Sequence, residues 1–356
     1  MKLVNHDTPK PKTHFEVLDG LRGIAAICVV TFHFIEMTIS DYSKIFIGHS
    51  FLAVDFFFCL SGFVIAYAYD DRVEKLGVAN FFKLRLIRLH PLVILGTLLG
   101  FLSLLFDPFV NQFKSLSSAE IISMFISSVF LVPFPVMIKR GLALFALNAP
   151  AWSLFWEYVA NIFYAIYLCR ISRRSLLALT ILTSIFIGWV LFESGSLTGG
   201  WNKATFWDGG ARVSYSFLAG ILVYRSNWII KNRLGFLGVA TLLLLSFIMP
   251  FSKWNWITEP IVVLFYFPLL VALGAGTALK SGLKKLCNFF GNISYPLYMT
   301  HYSVIWVFAH YYKIYKPVTY INLIIAGGVI FLIGFAYLIL LFYDIPLRKY
   351  LKAKIK

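Results

Sequence analysis

Residues Leu18–Phe34 read LDGLRGIAAICVVTFHF, an apolar run that carries two ionisable groups, Arg22 and His33. They are eleven positions apart. At 3.6 residues per turn that is close to three full turns, so a helix puts both side chains on one face. Their separation along the axis is roughly 16 Å, about half the hydrocarbon core of a bilayer. Ionisable groups inside a membrane span are costly and mark function by default. The plainer alternative is a snorkelling arginine at a helix end and a hydrogen-bonded interior histidine.

The whole chain has the character of that run. Its 356 residues are 60% hydrophobic and 13% charged, about half the charged fraction of a soluble domain. This composition describes an all-α, polytopic bundle of transmembrane helices whose partner is the lipid bilayer. The net charge of +16 does not call for nucleic acid, because Lys and Arg collect in the cytoplasmic loops of membrane proteins. Cys28, Cys59, Cys169 and Cys287 lie in or beside apolar runs without metal-ligand spacing, and read as packing residues. No metal site is expected. The first apolar run is too long and too polar for a cleavable signal peptide.

Hydropathy places about ten spans, near residues 18–39, 47–69, 89–106, 152–169, 175–193, 211–225, 234–251, 260–279, 288–310 and 320–343. Residues 1–16 read as a cytoplasmic tail, 17–345 as the transmembrane domain and 346–356 as a basic cytoplasmic tail. A further apolar stretch, 119–138, is ambiguous. If it does not cross, 22 of the 32 Lys and Arg fall on the side of the N-terminus, 9 fall opposite, and Arg22 lies within a span. That bias obeys the positive-inside rule with both termini inside; a crossing at 119–138 would invert every later loop. The stretch is therefore expected to be re-entrant or interfacial.

Several spans carry polar groups. Asp55 lies among phenylalanines in the second, with the small Ser61 and Gly62 nearer its inner end. Before the third span, NFFKLRLIRLHP puts Arg85 and Arg88 on one helical face, where guanidinium groups suit a phosphate-bearing ligand. Pro91 there is expected in a first helical turn. The fourth span opens with Trp152, Ser153 and Trp156. Helix rise places Glu157 about 8 Å below its start. The ninth holds Gly291, Asn292, Ser294, Tyr295, Tyr298 and His301. His301 is expected about 18 Å in from Phe289. Helix rise thus brings His33, His301, Asp55 and Glu157 toward one layer, over a basic patch of Arg22, Arg85 and Arg88.

Five stretches, in order, resemble the motifs of the acyltransferase 3 family of bacterial membrane acyltransferases. They are LDGLRGIAAICVVTFHF, DFFFCLSGF, FFKLRLIRLHP, APAWSLFWE and GNISYPLYMTH. Trp156 stands where a smaller residue is more usual, and Asp344 replaces the common Glu before the last proline. The resemblance runs almost end to end. It implies about ten spans in the bacterial cytoplasmic membrane and transfer of an acyl group, usually acetyl, from cytoplasmic acyl-CoA. The acceptor would be a hydroxyl on a sugar or other glycoconjugate of the cell surface. Acyl-CoA would be a co-substrate, with no cofactor held permanently.

Acyl transfer to a hydroxyl needs a base and a stabilised oxyanion. His33 is the expected base, since an imidazole suits proton transfer near neutrality. Glu157, Asp55 or Glu36, in that order, would orient it. Arg22, Arg85 and Arg88 would hold the donor's phosphates, and Ser294, Tyr295 or His301 would serve the oxyanion, with Trp152 and Ser153 in support. Two rivals come from other classes. A proton-coupled transporter also uses buried histidines and carboxylates, but the chain lacks visible inverted repeats. A scaffold subunit would not need clustered polar groups.

Overall fold

Each of the ten expected spans overlaps a helix: some helices run on past the span, as at 89–106 and 288–310, and others stop short of it, as at 18–39 and 234–251. The computed structural model describes residues 14–354. The principal helices are α1 (Glu16–Glu36), α2 (Ala53–Tyr69), α3 (Val78–Leu105), α4 (Ser118–Val129), α5 (Ala151–Ile166), α6 (Arg173–Ser194), α7 (Phe206–Arg225), α8 (Gly235–Ile248), α9 (Asn255–Gly276), α10 (Ser281–Tyr315) and α11 (Ile321–Ala353). Among the described residues there is no sheet, only the isolated bridges Ala143–Asn202 and Asn232–Thr277. The expected tail 1–16 lies, save its last three residues, outside the described residues.

Among the described residues, six helices (α1, α2, α3, α6, α9 and α11) are long and apolar enough to cross a membrane. The others fall short for identifiable reasons. Helix α5 has 16 residues and α8 has 14. Helix α7 carries Asp208, Arg212 and Arg225, and α10 holds Asn288, Asn292, His301 and His310 among its apolar residues. The helices that dilute the apolar signal include those that carry polar groups into the interior.

Helix α4 covers only part of the ambiguous stretch 119–138. Its 12 residues rise about 18 Å, short of a hydrocarbon core of about 30 Å. A reciprocal cap starts it. Glu120 N–H donates to Ser117 Oγ at 3.2 Å and Ser117 N–H to Glu120 Oε2 at 2.8 Å. Its Ile122 and Ile126 stay exposed.

Two differences from the sequence reading matter for the site. Pro91 sits inside α3 rather than in a first turn, because helix formation begins eleven residues before the expected span. Its neighbourhood is tied down by tyrosines: Tyr295 donates to the Leu89 carbonyl at 2.7 Å and Tyr343 to the Pro91 carbonyl at 3.0 Å. The segment after 345 is helical through Ala353, entered by a π turn at Leu340–Asp344. Asp344 and Arg348, four residues apart and so on one face, pair there at 2.6 Å.

Glycines set the closest helix contacts. A Cβ at Gly23 of α1 would collide with Phe290, and one at Gly291 of α10 would lie 2.5 Å from Asp19 Cβ. Between α2 and α7 the same exchange occurs: a Cβ at Gly62 would run into the Phe217 carbonyl oxygen, and one at Gly220 into that of Cys59. No side chain fits at either crossing, so both pairs approach backbone to backbone, as small residues allow in membranes.

Candidate active site

The α1–α10 approach lets Arg22 lie across α10. Its Nε donates to Ser294 Oγ at 2.9 Å, one terminal nitrogen donates to the Gly291 carbonyl at 2.7 Å, and it pairs with Asp19 at 2.9 Å. Arg85, buried on α3, donates to Glu157 Oε1 at 2.9 Å, and Ser61 of α2 donates to the same oxygen at 2.9 Å. Glu157 thus ties α2 and α3 to α5. Arg22, Arg85 and Glu157 line a cavity of about 190 Å³, together with Arg88 and Arg348. Four guanidinium groups face two carboxylates there, Glu157 and Asp344, and the balance favours an anion. We call this the near cavity, since both the first and the last helix contribute to it.

A second cavity, of about 440 Å³, opens at the far end. His33 and Glu36 line it. His33 Nδ1 is hydrogen-bonded to Glu36 Oε1, and Tyr42 donates to the other carboxylate oxygen at 2.9 Å. The His301 ring stacks on the His33 ring and Tyr302 meets it edge-on, with centroids 5.1 Å apart. His301 is fully buried; its Nδ1 bonds the Leu297 carbonyl at 3.1 Å and its Nε2 has no partner. Val54 and Tyr298 line both cavities. The Tyr298 hydroxyl shares a hydrogen bond with Ser153 Oγ at 2.8 Å.

Asp55 is engaged elsewhere. Both of its oxygens take hydrogen bonds from Arg212 of α7, the shortest 2.6 Å, in a pair that is 0% and 1% exposed. Arg212 also donates to the carbonyls of Gly199 and Phe51, at 2.7 and 3.0 Å. Its guanidinium lies 5.2 Å from the centre of the Trp152 ring, within cation–π range. The α2–α7 glycine crossing brings these helices close enough for the pair to form.

The residues expected in one layer therefore divide into three groups. Glu157 stands with the guanidinium cluster, Asp55 with Arg212, and the histidines with each other. The carboxylate set against His33 is Glu36, one turn along the same helix. Ser294 and Tyr295 spend their hydroxyls on backbone carbonyls, those of Gly291 and Leu89, and Ser294 also receives Arg22. The sequence reading did not single out Arg212, Tyr42, Arg140 or Arg348. For Arg212 a signal existed: it is an ionisable group within an expected span, and the rule applied to Asp55 asks for a partner there too.

The arrangement offers an anion-binding cavity at one end, a histidine–carboxylate pair in a cavity at the other, and a thin partition between them. The acyltransferase domain profile matches residues 15–343. A protein of Rhizobium radiobacter, "Protein 2 in picA locus", is 34% identical over 173 residues, which are 46% of this chain and 87% of that protein. No solved structure matches the chain. The profile spans nearly every helix described above. The chain belongs to the acyltransferase 3 family and is a membrane acyltransferase.

Proposed function

We propose that the protein moves an acetyl group from cytoplasmic acetyl-CoA to a hydroxyl of a carbohydrate or glycoconjugate acceptor, modifying polysaccharide of the cell surface. The chain crosses the bacterial cytoplasmic membrane about ten times, with both termini and the near cavity inside. Arg22, Arg85, Arg88 and Arg348 receive the phosphates of CoA. The acceptor enters the far cavity from outside. The observation that carries this reading is the pair of cavities that meet at Val54 and Tyr298, one rich in guanidinium groups and the other holding His33.

In the chemical step the acceptor oxygen attacks the thioester carbonyl carbon while His33 Nε2 takes the hydroxyl proton. Glu36, bonded to Nδ1, fixes the ring and stabilises the imidazolium that forms. The tetrahedral intermediate collapses with cleavage of the C–S bond. His33 returns the proton to the departing thiolate, giving the ester and free CoA. Tyr298, at the partition, donates to the oxyanion. Its hydroxyl meets Ser153 Oγ at 2.8 Å and the Pro150 carbonyl at 3.5 Å before substrate arrives, and turns from them to the oxyanion.

The test is acetyl transfer itself. Surface glycans from cells with and without the protein are compared by mass spectrometry, and acetyl-CoA binding is measured on purified, reconstituted protein. Loss of acetyl-bearing glycan in the deletion, restored by wild type and not by His33→Gln, supports the reading. Unchanged glycans together with no acetyl-CoA binding would sink it.

A further inference from the structure

Acyl transfer with His33 as base makes no use of Arg140, yet Arg140 lines the same far cavity. It is 2% exposed. One terminal nitrogen donates to the Ala146 carbonyl at 2.5 Å, the guanidinium lies 4.7 Å from the centre of the Trp306 ring, and Nε has no hydrogen-bond partner. Among the described residues no carboxylate lies within ion-pair distance of it. A buried guanidinium without a counter-charge is unfavourable unless something supplies one. Burial pushes its pKa down to about 10, which leaves it a cation at neutral pH.

The nearby charges make no direct pair with it. Asp107 acts on Arg140 through space, but its carboxylate already takes His310 at 2.5 Å and the backbone N–H groups of Phe109 and Val110 at 2.9 and 3.2 Å. Glu36 is held by His33 and Tyr42, and Arg212 is neutralised by Asp55. Lys139, exposed and beside Arg140 on the cavity wall, adds a second positive charge.

The loop that carries Arg140 is held in shape. Gly141 adopts φ +63°, and a Cβ there would meet the Trp201 ring at 2.9 Å. Glycine alone takes that conformation without steric cost. Leu144 N–H donates to the Trp201 carbonyl at 2.9 Å and Lys203 N–H to that of Leu142 at 3.1 Å. The guanidinium is therefore fixed before any ligand arrives, with the indoles of Trp201 and Trp306 on the same cavity. At about 440 Å³ the space lies within the ~300–1,000 Å³ of small-molecule sites.

We propose that the far cavity takes an anionic acceptor, a sugar bearing a carboxylate or a phosphate whose charge is received by Arg140. Lys139 draws the anion in, the Trp306 ring backs Arg140, the Trp201 indole bounds the space for the sugar ring, and the hydroxyl to be acylated faces His33. This rests on the acyl-transfer reading and deepens it.

The experiment is calorimetry on the full chain in lipid nanodiscs. The ligands are the methyl glycosides of glucuronate and galacturonate, the methyl esters of both, glucose 1-phosphate and methyl glucoside. Each acid and its ester differ in charge at one group. Charge-assisted bonds to a fixed guanidinium predict affinity for a free acid or the phosphate on the order of ten- to a hundredfold above the neutral compounds. The uronates and the phosphate separate the two sources of the anion. In Arg140→Gln, checked for folding by its thermal transition, the preference should collapse; Arg140→Lys should keep part of it. Acids that bind no better than their esters, with no advantage for the phosphate, overturn the proposal, as does an absence of binding by every anion. The wild-type comparison needs no variant and stands if Arg140→Gln does not fold. Acetyl-CoA binding on the same samples tests the parent reading: a protein that binds it yet treats acid and ester alike loses only the anionic acceptor.

Discussion

The imidazole rings of His33 and His301 stack across the α1–α10 contact, with centroids 5.4 Å apart and planes 19° from parallel. Two rings held this way restrict each other. His33 has Glu36 on one edge and the His301 face behind it, so its free rotation is blocked on two sides. We propose that His301 positions His33: its own Nδ1 is spent on the Leu297 carbonyl, and its Nε2 has no partner.

That arrangement makes a graded prediction. His301→Phe keeps a flat ring against His33 and should retain most of the acetyl-transfer rate. His301→Ala removes the ring, leaves a cavity in a fully buried place, and should lower kcat by about tenfold or more while donor KM stays level. If His301→Phe is as inactive as His33→Gln, then His301 exchanges a proton in the reaction and is not a positioning residue.

Asp55 and Arg212 should behave as a structural pair. Removing one partner of a buried ion pair costs about 3–5 kcal/mol, because the other charge is left uncompensated. Asp55→Asn is expected to lower the thermal transition markedly. Asp55→Leu combined with Arg212→Met should recover much of that loss, since a matched apolar pair needs no solvation. Thermal unfolding in detergent checks both. A folded, stable Asp55→Asn protein with no transfer activity would instead move Asp55 into the chemistry.

The near cavity separates binding from chemistry. Arg348, paired with Asp344, lines it. Arg348→Gln should raise the apparent KM for acetyl-CoA by roughly 3- to 30-fold, as expected for one lost charge-assisted contact, with kcat little changed. Lys349→Gln, at the exposed neighbouring position, should leave KM alone. Equal KM values for wild type and Arg348→Gln would remove Arg348 from the donor site.

Topology follows from charge. A reporter fused after Arg140 should lie outside the cell and one after Arg174 inside, because 119–138 does not cross in the 22-to-9 arrangement of Lys and Arg. A cytoplasmic Arg140 would put the far cavity on the donor side and reverse the assignment of the two cavities.

What the sequence made legible was local: helices, their periodicity, and groups one or two turns apart on one helix. Arg22 and His33 share a face because helix geometry requires it. Glu36 was in view as a partner for His33 for the same reason, at i+3. What stayed hidden was pairing between distant segments. Depth along a helix suggested that Asp55, Glu157 and the histidines meet, but depth says nothing of which face each helix turns inward. Asp55 meets Arg212 across 157 residues and Glu157 meets Arg85 across 72. Arg348 was assigned to a tail because its segment is polar, and the π turn before Pro346 that continues the helix has no clear mark in the composition. Arg140 reads as an ordinary loop charge until its burial is seen.

Glu36 offers the sharpest test of the chemistry, since its two oxygens serve different neighbours: Oε1 meets His33 and Oε2 accepts from Tyr42 at 2.9 Å. If His33 is the base, Nδ1 must carry the proton that Glu36 accepts, which leaves Nε2 for the acceptor hydroxyl. Glu36→Gln keeps size and hydrogen bonding, but its amide N–H₂ can donate to Nδ1 and favour the wrong tautomer. It should lower kcat by roughly 10- to 100-fold, at or below the lower end of the roughly 10²- to 10⁴-fold loss expected when the base itself is removed in His33→Gln. Tyr42→Phe removes one support of the carboxylate and leaves the dyad intact, so a drop of about twofold to fivefold is expected. Acetyl-CoA binding should be unaffected in Glu36→Gln and Tyr42→Phe, because neither residue lines the near cavity. Steady-state transfer in reconstituted protein, with donor binding measured alongside, gives the order wild type, Tyr42→Phe, Glu36→Gln, His33→Gln. A Glu36→Gln enzyme as fast as wild type would break the dyad and leave His33 to act without a carboxylate partner.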